Sequence, residues 1–209
     1  MERIVEPELM TDEEQARAYA EADFESAHSR YPLLFREIFP DCPPTGRALD
    51  IGCGPGDVTR RFAQILPNWD FDAVDGSAAM LAQAPPTERI TYIQGFIPGV
   101  PLSRYDLVLT SSLLHHLTDP SVLWQTIRRC ASNMVFVVDL RRPSSREDAL
   151  KLTDKYTQGE PEVLRRDFFN SLLAAFTIEE VERQLKDAGL SKLPVREISD
   201  RHLLVAGYI

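Results

Sequence analysis

Beyond position 46, short apolar runs alternate with stretches whose apolar side chains recur at helical spacing, a pattern that predicts β-α-β units and a mostly parallel sheet. Strands are expected over 47–51, 71–75, 90–94, 105–110 and 135–139, the last reading as fully buried. The first crossover helix is expected over 57–66, broken by Pro67-Asn68, and Ser77 caps a short helix that ends before Pro85-Pro86. Asp119-Pro120 reads as an N-cap followed by proline at the first helical position. Thr177-Ile178-Glu179-Glu180 is a capping box whose helix Gly189 closes. Two last strands, 194–198 and 202–208, form an antiparallel edge around Ser199-Asp200-Arg201. Ahead of this region, Thr11 and Glu14 have capping-box spacing, and Ala16, Tyr19, Ala20, Phe24 and Ala27 recur at helical intervals. Pro32 suits the first turn of a second helix that should end by Pro40.

The run Leu49-Asp50-Ile51 stops at three alternating glycines, Gly52, Gly54 and Gly56. Glycine is needed where φ is positive or where a ligand lies against backbone without a Cβ in the way. A dinucleotide loop wants G-x-G-x-x-G and a phosphate loop G-x-x-x-x-G-K-[ST]; this loop is G-x-G-x-G, with no lysine. The string Leu49-Asp50-Ile51-Gly52-Cys53-Gly54-Pro55-Gly56 resembles the first motif of the class I S-adenosylmethionine-dependent methyltransferases. Asp106 to Leu117, with Leu113-Leu114-His115-His116-Leu117 at its end, resembles the fourth motif of members that methylate small molecules. The resemblance covers about Arg47 to Ile209. It implies an α/β fold, a doubly wound, Rossmann-like sheet of seven strands with the last one reversed, and S-adenosyl-L-methionine as cofactor. Residues 1–46 and about 141–176 fall outside the pattern; by resemblance they are an N-terminal helical cap and an inserted helical cap over the substrate.

In such a sheet the ligand sits beyond the carboxyl ends of the strands where their order reverses. By resemblance, Asp50 either helps hold the amino end of the cofactor or bonds to loop amides, and Gly52, Gly54 and Gly56 admit the amino-acid and ribose portions. Asp75, beside Gly76 and the cap Ser77, offers two rigid acceptor oxygens that match a vicinal diol. Many members carry Gly-Asp after the third strand, the acid reading the adenine edge; here Gly95 is followed by Phe96. Phe96 and Ile97 either sandwich the adenine or pack in the core. Thr110 and Ser111 would face the methionyl end. His116 is either a general base or a packing residue, and His115, expected to point elsewhere, is the weaker candidate. Arg141 or Arg142, after the fifth strand, could fork onto a substrate carboxylate or phosphate. Arg165, Arg166 and Asn170 belong to the inserted segment, as ligand contacts or as an ion-paired helix face. Tyr19, Phe24 and His28 could close over the site from the N-terminal segment.

A formal net charge of -9 over 209 residues argues against a non-specific grip on nucleic acid or on an anionic membrane, and leaves room for a local basic pocket. The N-terminus lacks a basic stretch followed by an apolar one, and no run is long and apolar enough to span a bilayer. Cys42, Cys53 and Cys130 are odd in number and follow no disulfide or metal-ligand spacing, so no metal is expected and a reducing cytoplasm is the expected home. Oligomeric state is left open. The expected activity is methyl transfer to a small, anionic acceptor through an oxygen or nitrogen nucleophile. Two alternatives stand beside it: an S-adenosylmethionine-binding regulatory protein without turnover, suggested by Phe96, and an NAD-dependent oxidoreductase, against which the glycine spacing argues.

Overall fold

The computed structural model describes residues 1–6, 13–22 and 24–209. Among them, helices α1 (Glu13–Glu21), α2 (Glu25–His28) and α3 (Arg30–Ile38) precede β1 (Gly46–Ile51), α4 (Asp57–Ile65), β2 (Trp69–Asp75), α5 (Ala78–Leu81), β3 (Ile90–Gln94) and β4 (Tyr105–Ser111). A 3₁₀ turn at Leu114–His116 leads into α6 (Ser121–Cys130), β5 (Ala131–Leu140), α7 (Arg146–Tyr156), α8 (Glu162–Ala174), α9 (Ile178–Asp187), β6 (Val195–Glu197) and β7 (His202–Tyr208). The seven strands form one sheet in the order β3-β2-β1-β4-β5-β7-β6. β1 to β5 pair in parallel, and β7 lies antiparallel between β5 and β6.

Period-2 alternation splits the strands between two cores. Leu49, Val108, Val135, Val137, Leu203 and Val205 face one side, where Leu123, Trp124 and Ile127 of α6 and Val181 and Leu185 of α9 cover them. Ala48, Leu107, Leu109, Phe136 and Leu204 face the other, against Tyr31 and Phe35 of α3 and Val58 and Phe62 of α4. There Phe35, Phe62 and Phe136 pack with ring centroids 5.3 to 5.9 Å apart. Each fully buried ring contributes roughly 1.5–3 kcal/mol by leaving water, so the sheet is a stiff platform on both faces. The strand order reverses between β1 and β4, which places a crevice beyond their carboxyl ends.

The Thr177 capping box is present, with the Thr177 side chain on the Glu180 amide and the Glu180 side chain on the Thr177 amide. Ser77 accepts from the Met80 amide as expected. Asp119 departs from expectation. Its Oδ1 accepts from the Ser121 N–H at 2.9 Å while Pro120 takes the cap position, so the acid forms a turn one residue earlier. β2 starts at Trp69, two residues early, because the indole is fully buried and donates to the Pro43 carbonyl at 3.1 Å. β6 is shorter than expected and begins at Val195, since Pro194 has no N–H to give the ladder. Thr11 lies outside the described residues; Glu14 is in the first turn of α1.

Candidate active site

The loop after β1 is fixed by its own amides. The N–H groups of Gly52 and Cys53 donate to the Val74 carbonyl at 2.7 and 3.1 Å, tying the loop to β2. Gly52, Gly54 and Gly56 have φ of +72°, +52° and +75°, the left-handed region that favours glycine. At Gly56 there is no room either, since a Cβ would lie 2.4 Å from the Tyr92 hydroxyl. The Gly54 N–H donates to Asp75 Oδ2 and the Ser77 N–H to Asp75 Oδ1, each at 2.8 Å. Burial raises the Asp75 carboxyl above its ordinary range, opposed by those two amides. A carboxylate has about four lone-pair sites, so two remain for a ligand. Next to it, the Phe96 ring crosses Gly76 so closely that a Cβ there would stand 2.4 Å from the ring edge. The Phe96 side chain is still 60% exposed.

Asp50 and Thr110 lie one layer beneath this surface, each 1% exposed and outside the cavity wall. Asp50 Oδ2 accepts from the Thr59 hydroxyl at 2.5 Å, which ties β1 to α4. Its other oxygen and the Thr110 hydroxyl are buried without a partner. Both lie beneath the cavity wall, which at these strand ends is carried by Ser111, Ser112 and Leu113.

The histidine pair converges on a carboxylate that local sequence does not reveal. His115, 2% exposed, sets Nδ1 2.6 Å from Asp139 Oδ1 at the end of β5, and Asp139 Oδ2 accepts from the Leu114 N–H at 2.7 Å. On the opposite side, Glu6 Oε1 lies 3.7 Å from His115 Nε2 and 3.1 Å from His116 Nδ1, and accepts from the Ser171 hydroxyl at 2.9 Å. The two rings lie tilted by 38° with centroids 4.1 Å apart, and His115 faces the same carboxylate as His116 rather than pointing elsewhere. Burial pushes His115 down, but the charge and hydrogen bond of Asp139 outweigh it and leave the imidazole raised. Burial likewise pushes Glu6 up, yet His116 and His115 hold it below the ordinary range. Arg3 locks the assembly, donating to the Ala174, His115 and Leu117 carbonyls at 2.5, 2.8 and 2.9 Å.

These groups open on one cavity of about 850 Å³, walled by the glycine loop, the strand ends and helices α1, α2 and α8. Gly52, Gly54, Asp75, Gly76, Phe96, Ile97, Ser111, both histidines, Tyr19, His28, Arg166 and Asn170 line it. His28 Nδ1 stands 2.8 Å from Asp57 Oδ2, and that bond with Arg61 holds the Asp57 carboxyl down at about 2. Burial, with Asp75 and Asp57 nearby, pushes Tyr19 up to about 12.

Three of the four arginines nominated from sequence are turned elsewhere. Arg141 bonds Glu197 at 3.1 Å; Arg142 is buried, bonding Glu180 at 2.6 Å and the Ala175 carbonyl at 3.0 Å; Arg165 pairs with Asp154. None of the three lines the cavity. The physical reason is the same throughout: an acid on an adjacent element takes the guanidinium before a ligand can. Arg166 does line the wall, paired with Asp167 at 3.2 Å. The acids of the histidine cluster, Glu6 and Asp139, went unread. Asp139, ending an apolar strand as Asp75 does, carried a usable signal; Glu6 carried none.

A family profile described as a methyltransferase domain matches residues 49–134. The trans-aconitate 2-methyltransferase of Deinococcus radiodurans is 32% identical over 111 residues, spanning 50% of this chain and 42% of that protein. The demethylmenaquinone methyltransferase of Roseiflexus castenholzii is 29% identical over 108 residues, spanning 48% and 45%. The chain thus spans less than half the length of these curated relatives. Among solved structures, the plantazolicin methyltransferase BpumL, in complex with a monoazolic substrate analogue and SAH, aligns with TM-score 0.66 at 18% identity over 93% of this chain and 84% of that one. A SAM-dependent methyltransferase from Aquifex aeolicus aligns with TM-score 0.67 at 15% identity over 96% and 100%; at such identities the likeness speaks to the fold. With that fold, the G-x-G-x-G loop pinned on Asp75 and a methyltransferase-domain profile matched over residues 49–134, the chain is similar in its core to the class I S-adenosylmethionine-dependent methyltransferases.

Proposed function

We propose that this protein binds S-adenosylmethionine in the cavity and methylates a small acceptor at an oxygen or nitrogen nucleophile. The cofactor, when bound, supplies an electrophilic methyl carbon on a sulfonium. The observation that carries the reading is the Asp75 carboxylate: it is clamped by two loop amides at the cavity wall and keeps two acceptor sites, which suits a ribose diol. Gly76, Phe96 and Ile97 would take the adenine, the ring of Phe96 replacing an edge-reading acid with stacking. Gly52, Gly54 and Ser111 would take the amino-acid end.

For such a displacement, alignment and exclusion of water supply most of the rate; effective molarities allow roughly 7–11 kcal/mol. Residues 1–46 and 141–176 serve this as caps, since Tyr19, His28 and Asn170 from them share the wall with the glycine loop. Glu6, 3.1 Å from His116 Nδ1 without hydrogen-bond geometry, draws positive charge to that side of the ring, and Nε2 would then accept a proton from the acceptor. His116 is then the catalytic base, and Glu6, His115 and Asp139 are positioning residues.

Calorimetric titration with S-adenosylmethionine tests the cofactor assignment: saturable heat is expected, lost in Asp75→Ala. No heat and no thermal shift at high protein concentration would sink it. Methyl transfer from isotopically labelled cofactor into a metabolite mixture, read by mass spectrometry, tests turnover. His116→Ala is expected to keep binding and lose roughly 10²–10⁴ in rate.

A further inference from the structure

The cavity holds several cations, and their partners separate one from the rest. Arg60 donates to the Pro55 carbonyl at 2.7 Å and stands 3.6 Å from Asp57. Arg61 is shared between Asp57 at 2.9 Å and Glu25 at 2.6 Å, and Arg166 is held by Asp167. Arg201, in the turn before β7, lines the same cavity, yet among the described residues its guanidinium has no hydrogen-bonded or ion-paired acceptor. Instead it lies over the Tyr156 ring at 3.5 Å, with Phe168 at 5.6 Å. The adjacent Asp200 is committed elsewhere, to Lys155 at 2.7 Å and to the Tyr156 hydroxyl at 2.6 Å. That second bond fixes the ring under the guanidinium. The backbone is fixed as well, the Arg201 N–H on the Ser199 hydroxyl and its carbonyl accepting from the Arg141 N–H.

A partly buried guanidinium with five donors and no acceptor is costly unless a ligand supplies one. Stacking on an aromatic face leaves the planar fork presented edge-on, the geometry that matches a two-oxygen anion. The rest of the wall limits the charge of that anion. Glu6, Asp57, Asp75, Glu160 and Asp167 all line it, while the other cavity arginines are already neutralised. His202 adds no charge near neutrality, since burial and then Arg201 hold it down at about 3. One negative charge is matched there and a second is repelled. Tyr156 and Phe168 lie against Arg201, and Tyr31, Leu140 and Leu164 add further apolar and aromatic surface to the same cavity.

We infer that Arg201 anchors the methyl acceptor by a single carboxylate, and that the acceptor is a planar, apolar monocarboxylic acid. The inference rests on the methyltransferase reading for the word acceptor; the anion site stands on its own geometry. It moves the substrate-anchoring role from Arg141 and Arg142, where the sequence put it, to the edge turn.

The test is calorimetry with benzoate, trans-cinnamate and indole-3-carboxylate, each against its primary amide and against phenyl phosphate, with S-adenosylhomocysteine present. At least one carboxylate should bind the wild type tenfold or more tightly than its amide and than phenyl phosphate. Arg201→Gln should erase that preference, Arg201→Lys should weaken it several-fold by keeping charge without the fork, and Arg129→Gln, on an exposed face of α6, should change nothing. Circular dichroism confirms that each variant is folded. Equal binding of carboxylates and amides, an Arg201→Gln variant that binds like wild type, or tighter binding of phenyl phosphate would each overturn the proposal. Loss of S-adenosylhomocysteine binding in the wild type with the carboxylate preference intact would overturn the cofactor reading alone.

Discussion

Replacing Asp50 with asparagine is expected to stabilise the protein in alkaline solution relative to acid. The carboxyl is 1% exposed and holds one hydrogen bond, from Thr59, while its other oxygen has no partner. Burial lifts it from 3.8 to about 7, with Asp75 adding to the effect and Thr59 opposing it. Because the folded value lies above the unfolded one, the folded chain keeps this proton longer. The associated stability is complete below pH 3.8 and is lost as pH rises to 7. Three pH units at about 1.4 kcal/mol each amount to ~4 kcal/mol, of which about 3 falls between pH 5 and 8. Asparagine keeps the acceptor for Thr59 but buries an NH₂ where Oδ1 was, at a pH-independent cost of about 1–3 kcal/mol. Urea unfolding at pH 5 and pH 8 isolates the pH-dependent part: the variant should gain about 3 kcal/mol on wild type between the two. Stability profiles that stay parallel across this range would refute the argument.

Gly56→Ala combines a positive φ with a Cβ 2.4 Å from the Tyr92 hydroxyl, so it should cost at least 1–2 kcal/mol in thermal or chemical melts and weaken binding of the cofactor in the same preparation. Asp139→Asn removes the charge that keeps His115 raised. Its imidazole titration by NMR should move down, and the stability that wild type holds at acid pH and loses as pH climbs through the raised value should shrink. Phe96→Ala should weaken cofactor affinity by roughly two- to tenfold, the worth of about 0.5–1.5 kcal/mol of aromatic stacking. Glu6, His115 and His116 place their ligand atoms within 4.8 Å of one another, close enough to hold an ion, but each is engaged with the others or with Asp139 and Ser171. Dialysis against EDTA should therefore leave methyl transfer unchanged, and a tenfold loss restored by a divalent cation would make the trio a metal centre.

The fold was legible because its determinants are local. β3 occupies 90–94 as its apolar run implied, and the Thr177 box caps α9 through contacts three residues apart. The glycine loop's own geometry was legible for the same reason, with Gly54 and Asp75 separated by one β-α-β unit. Which arginines line the cavity was not. Whether an arginine faces a ligand depends on which acid folds against it, and Arg142 meets Glu180 only through the docking of α9. Arg201 looked like a turn residue because its aromatic support, Tyr156 and Phe168, comes from helices α7 and α8, distant in sequence.

The three hydrogen bonds of Arg3 span 112, 114 and 171 residues of chain, whereas the bond from Gly54 to Asp75 spans 21. The loop that would receive the nucleoside closes early and locally, while the histidine cluster closes only when the first residues return across the whole domain. Contacts that close only across long chain separations open more readily than those that close locally. At denaturant concentrations far below the global midpoint, the molecule should pass through a state that still holds nucleoside and has lost its proton acceptor's partner. In that state, occupancy and turnover come apart without any change of sequence.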